Sequence, residues 1–139
     1  MDPSVGQKAI RSITLTVEHV RAYAEMTGDH NPLHFDEDFT SKTKFKKLVV
    51  QGGLTTGLLH ALVAMDMPGA GTVFLSQNWK FISPVFIGDT IYVEMETIET
   101  KALPRIGGGS VTIVLEVKNQ NEEVCHRGSW TVLMMSKPK

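Results

Sequence analysis

The chain has 139 residues, 42% apolar and 21% charged, with 14 Lys plus Arg against 15 Asp plus Glu and a single cysteine. That length suits one domain with a real core, and a net charge of -1 gives no reason to expect a nucleic-acid partner. Lone Cys125 excludes an intramolecular disulfide and a cysteine-rich metal site, no apolar run reaches the roughly 18 residues of a membrane span, and MDPSVGQKAI has no apolar signal core.

In chain order, residues 10–15 alternate weakly and read as a short edge strand. Thr16 is placed to cap a helix whose apolar positions are Val20, Ala24 and Met26, and Gly28 is placed to stop it. Asn31-Pro32 cannot lie inside a helix, so residues 28–34 form a shaped turn. A second short helix falls within 36–43. Residues 54–65 (LTTGLLHALVAM) are apolar on nearly every face, which predicts a helix buried on all sides. Gly52-Gly53 precede it and Pro68-Gly69 follow it.

Beyond that point the period changes to two. Val111, Ile113, Leu115 and Val117 alternate with their neighbours, as do Ile91, Val93 and Met95. Turn signals divide this half into four strands, near 71–83, 89–101, 109–119 and 123–135. Antiparallel strands following a helical half predict an α+β fold. A long curved sheet wrapped around the one apolar helix satisfies both halves. There is no repeat or linker-like stretch, so a single domain over 1–139 is expected.

The stretch Gly28-Asp29-His30-Asn31-Pro32-Leu33-His34 carries the chemistry. Asp29 and His34 flank a proline-stiffened turn that can aim a carboxylate and an imidazole at one small volume, a pairing suited to general acid–base work. Asn31 offers an amide between them. The same residues also suit a plain turn, with Asn31 making an Asx-turn and His34 at the surface.

Gly-Asp-x-Asn-Pro-Leu-His after a Tyr-containing helix resembles the signature of the (R)-specific enoyl-CoA hydratases, the hydratase 2 or MaoC-like branch of the hot-dog fold. Val49-Val50-Gln51-Gly52-Gly53-Leu54 resembles that family's entry to its central helix, with Gln51 where the family usually has His. Ser76-Gln77-Asn78-Trp79-Lys80-Phe81 and Pro84-Val85-Phe86-Ile87-Gly88-Asp89 resemble its strand segments. The likeness runs in order through residues 12–135. It implies a hot-dog fold with Asp29 and His34 as the catalytic pair and Gly52 as the backbone N–H that polarises the thioester carbonyl. Asn31, Gln51, Gly53 and Ser76 follow as substrate-binding positions. A glycine at a helix start adds its own argument for Gly52, because its N–H and the positive end of the dipole meet developing enolate charge.

The expected activity is reversible hydration of trans-2-enoyl thioesters to (R)-3-hydroxyacyl thioesters, in fatty-acid metabolism. The alternatives are a hydroxyacyl-carrier-protein dehydratase of fatty-acid synthesis and a hot-dog thioesterase. No cofactor and no metal are expected, since the substrate arrives as a coenzyme A or acyl-carrier-protein thioester. The family implies a homodimer or a higher homo-oligomer. Lys42, Lys44, Lys46 and Lys47 form a basic run suited either to carrier phosphates or to solvent. The expected location is cytoplasmic, with the mitochondrial matrix as the alternative if a presequence has been removed.

Overall fold

The computed structural model describes residues 4–135. The ends of the expected domain, 1–3 and 136–139, lie outside the described residues. The elements are β1 (Lys8–Thr14), α1 (Val17–Thr27), a 3-10 turn (Pro32–His34), α2 (Glu37–Ser41), α3 (Gly52–Met65), β2 (Thr72–Phe81), β3 (Thr90–Leu103), β4 (Gly108–Lys118) and β5 (Val124–Met134). A second 3-10 turn, Pro104–Ile106, bridges β3 and β4. All five strands join one sheet in the order β1-β3-β4-β5-β2, and every pairing is antiparallel.

Period two sets the two faces of this sheet. Val93, Met95, Val111, Ile113, Leu115, Trp130 and Val132 are buried and share one core with Leu54, Leu59 and Val63 of α3. The helix therefore lies against the concave face, as the apolar pattern predicts. The opposite face is polar and laced with cross-strand pairs, Arg127 to Glu116 at 2.9 Å and Lys8 to Glu96 at 3.6 Å. An open hollow of about 560 Å³ on that face is flanked by these paired charges.

The structure departs from the sequence reading in three places. β1 begins at Lys8, earlier than its weak alternation indicates, because it is zipped to β3 from Lys8–Glu96 to Thr14–Thr90. α3 begins at Gly52, so both glycines belong to its first turn and do not precede it. Nor is α3 buried on all sides: Gly53, Gly57, Ala61 and Met65, one residue per turn, form an exposed stripe. Burial of Leu54, Leu59 and Val63 against the sheet overrides the poor helix propensity of the glycines, which packing can do.

α1 is built as its sequence predicts. Thr16 accepts a hydrogen bond from the His19 backbone N–H, and His19 Nδ1 accepts one from the Thr16 N–H, closing a reciprocal cap. Gly28 ends the helix at φ 81°, in the left-handed region where a side chain would be strained.

Candidate active site

The turn after α1 is organised by its own polar side chains. Asp29 Oδ1 accepts from the Asn31 N–H at 3.3 Å, and Asn31 Oδ1 accepts from the Leu33 N–H at 3.0 Å. Pro32 occupies the first position of the 3-10 turn, where its missing N–H costs nothing. These bonds bend the chain so that His34 comes back beneath Asp29. His34 Nε2 lies 3.8 Å from Asp29 Oδ2, and His34 is buried while the Asp29 side chain keeps 39% of its surface.

The other face of the His34 ring is tied down. Its Nδ1 lies 2.6 Å from the Val49 carbonyl oxygen. A carbonyl can only accept, so Nδ1 carries the proton and Nε2 is the working nitrogen, with a lone pair in the neutral ring. The gap to Asp29 is too long for a direct hydrogen bond and suits one shared water.

The first turn of α3 supplies the third part. Gln51 precedes the helix but makes no side-chain cap; instead its Nε2 donates to the Val20 carbonyl at 3.0 Å, tying α3 to α1. The helix N-terminus is thus left with the Gly52 and Gly53 N–H groups unbonded among the described residues. Gly52 and His34 open onto one cavity of about 510 Å³, which Thr55, Phe81, Pro84 and His126 also line. Nearer its surface, Lys44 sits 5.4 Å over the Phe45 ring and Lys47 sits 5.1 Å over Phe86, and both of those rings belong to the wall. The basic run is therefore placed beside the cavity, with Lys46 Nζ turned to the Ser41 carbonyl.

Asp29 and His34 are brought within 3.8 Å of each other, and His34 shares a cavity wall with Gly52. The other four expected contact positions differ, each for a physical reason. Asn31 is exposed and its carbonyl is committed to capping the 3-10 turn, so it supports the pair from outside. Gln51 is 1% exposed and turned inward to Val20. Gly53 faces Tyr23, whose phenol oxygen occupies the space that a Cβ would need. Ser76 pairs with Thr131 on the outer face of the sheet, because the bulge between Phe74 and Ser76 shifts the parity of β2. Gln77 faces inward in its place and meets His60 on α3. His60 is half-buried, stacked on Phe74 and edge-on to Trp130.

A model of the MaoC-like domain matches residues 2–119. The chain belongs to the MaoC-like family. Among relatives of this MaoC-like protein, a 3-hydroxybutyryl-CoA dehydratase of Methylorubrum extorquens is 38% identical over 98 residues, 70% of this chain and 62% of that one. An (R)-specific enoyl-CoA hydratase of Aeromonas caviae is 39% identical over 92 residues, 66% of this chain and 69% of that one. These matches span about two thirds of each relative's length. The solved (R)-hydratase of Aeromonas caviae superposes with a TM-score of 0.86 at 30% identity, covering 95% of this chain and 97% of that one. The fold of the MaoC-like chain is the hot dog.

One lining residue escaped the motif reading. His126 sits on β5 at the parity of Trp130 and Val132, so its inward direction was readable from period two. What it faces there depends on β2, whose Phe81 pairs with it in register.

Proposed function

We propose that this chain is a hydro-lyase that reversibly adds water to trans-2-enoyl thioesters, giving (R)-3-hydroxyacyl thioesters. The observation that carries the reading is the Asp29–His34 pair, 3.8 Å apart, with Nδ1 of the imidazole fixed by Val49. A water bonded to both groups at ordinary distances of about 2.8 Å would sit at the apex of an angle near 85°. The pair enters the step holding one proton between them: the unprotonated group takes a proton from that water as its oxygen bonds to C3, and the protonated group delivers its own proton to C2. Both act from one side, so addition is syn. The proton gained by one and lost by the other returns across the same gap, and the pair ends each turnover as it began.

The Gly52 N–H, at the positive end of a 14-residue helix, supports the role of donor to the thioester oxygen. Negative charge grows there as C3 is attacked, and removing a donor of this kind typically costs about 3–4 kcal/mol of barrier. No cofactor is needed in this scheme. The lysines over Phe45 and Phe86 suit the phosphates of a coenzyme A or acyl-carrier-protein thioester, and we place the carrier there. The reducing cytoplasm suits the buried lone thiol of Cys125.

A second copy fits two exposed features. β2 is an unpaired edge with Val73 and Leu75 about half exposed, and α3 carries the open stripe ending in Met65. A homodimer would cover them, and sedimentation at equilibrium reads it directly.

The test of the activity is loss of enoyl absorbance on crotonyl-CoA, with the product's configuration read by an (R)-specific dehydrogenase. Asp29→Asn and His34→Ala, both folded, should abolish most of it. Near-normal turnover in both removes the proposal, and release of free thiol in place of hydration establishes a thioesterase.

A further inference from the structure

The start of α3 is a weak piece of helix at the place where the proposed reaction needs a rigid one. Its first two residues are Gly52 and Gly53, poor helix formers, and no side chain caps them. Both are closely covered. A Cβ on Gly52 would lie 2.9 Å from Phe81 Cε1, and one on Gly53 would overlap the Tyr23 phenol oxygen. The firmness of this turn has to come from somewhere other than its own side chains.

Gln51 occupies the cap position and does something else there. An ordinary cap turns its side-chain oxygen back onto the N–H groups of the first turn. The Gln51 side chain, 1% exposed, runs into α1 instead, where its Nε2 donates to the Val20 carbonyl at 3.0 Å. A carbonyl can only accept, so this bond fixes which end of the amide faces Val20. Oε1 is left buried without a partner among the described residues. An unpaired buried oxygen weakens the fold, so a plain packing contact between α1 and α3 is better served by an apolar side chain. What the amide provides is an anchor that leaves the helix end open. The Gln51 carbonyl accepts from the Leu54 and Thr55 N–H groups at 3.1 and 3.3 Å. In a trans peptide the N–H points opposite to the C=O, so the Gly52 N–H of that same unit points out of the N-terminal end of α3. A capping oxygen would sit over that end.

We propose that Gln51 is a positioning residue: its bond to Val20 holds the Gln51–Gly52 peptide so that the Gly52 N–H stays uncapped and aimed at the thioester oxygen. This rests on the hydratase reading and adds the residue that keeps its donor in place.

Three variants separate holding the donor from holding the fold. Gln51→Met has neither the tie nor a cap. Gln51→Asn can cap the first turn but falls one methylene short of Val20, and Gln51→His keeps an N–H donor. With crotonyl-CoA, Gln51→Met and Gln51→Asn should lose about tenfold or more in kcat with KM little changed, because a displaced donor is missed most where charge develops. Gln51→His should recover most of that loss, and all three should melt close to the wild type. The direct readout is the infrared carbonyl stretch of bound butyryl-CoA, a saturated thioester that hydration leaves unchanged. The wild type should lower that stretch, and Gln51→Met and Gln51→Asn should return it toward its solution value. Wild-type kcat in either folded variant overturns the inference, as does a loss confined to KM or an unmoved carbonyl stretch. A kcat that follows the melting temperature through all three variants, or failure of all three to fold, overturns it too, since the tie then serves the fold alone. In each of those cases crotonyl-CoA hydration by the wild type leaves the hydratase reading intact. No hydration by the wild type removes both.

Discussion

Two histidines enter the same cavity, one from a turn and one from a strand, and they are held in opposite ways. His34 comes from a seven-residue segment that organises itself through Asp29, Asn31 and Pro32, and its ring has Val49 on one side and Asp29 on the other. His126 comes from a strand whose only local instruction is which face it points to, and its ring has aromatic edges and no hydrogen-bond partner among the described residues. The difference teaches that a short polar motif can carry chemistry in its own spacing. A strand residue acquires its surroundings only when the sheet closes over it.

The largest effect that would sharpen this contrast is on the turn. Asp29→Asn and His34→Ala should each lower kcat/KM for crotonyl-CoA by about 10²–10⁴, the usual span for acid–base groups. The double variant should fall little further than the worse single one, because the two act on one water. Additive losses would show that they work separately and would break the comparison at its first term.

Gly53→Ala probes how the turn is carried to the helix. A methyl there would collide with the Tyr23 phenol oxygen, so the Tyr23 ring has to leave its place between α1 and α3. The expected loss is about 1–3 kcal/mol of stability by denaturant titration. Tyr23→Phe in the same background should restore part of it; no rescue would place the strain elsewhere.

On the strand side, the linkage follows from the direction of the shift. The His126 pKa is lowered by burial from 6.5 to about 4. The unfolded chain therefore binds the proton first as pH falls. The stability due to the neutral ring is fully present above pH 6.5 and drains away down to pH 4. Between pH 7 and pH 5 the wild type should lose about 2 kcal/mol more than His126→Val. Parallel pH profiles for the two proteins would mean the ring is solvated.

The smallest expected effect is at Asn31. Asn31→Ala removes the acceptor for the Leu33 N–H and should cost about 1 kcal/mol, as loss of a helix cap does. A lowered kcat with little change in KM would mark it as a support for the Asp29–His34 pair, not a substrate contact.

Much of the molecule is legible without coordinates. α1 reads from Thr16 to Gly28 because caps are local chemistry, and β3 to β5 read because period two assigns each residue a face. The resemblance, carried by Asp29, Asn31, His34 and Gly52, leads to the family in which the chain is found. Ser76 was misread because a one-residue bulge is nearly silent in sequence while inverting every side chain after it. The surroundings of Gln51 and Gly53 are not legible locally, because the partner of Gln51 is Val20, 31 residues away, and Gly53 meets the similarly remote Tyr23.

The sequence by itself determined the fold class and the turn that carries Asp29 and His34, since each depends on residues within a few positions of one another. Only the tertiary structure decided which nitrogen of His34 is free, which glycine lines the cavity, and that His126 lines the same cavity without a hydrogen-bond partner among the described residues. Those are contacts between segments distant in the chain, and backbone spacing cannot specify a contact until the sheet has curved around the helix and brought the segments together.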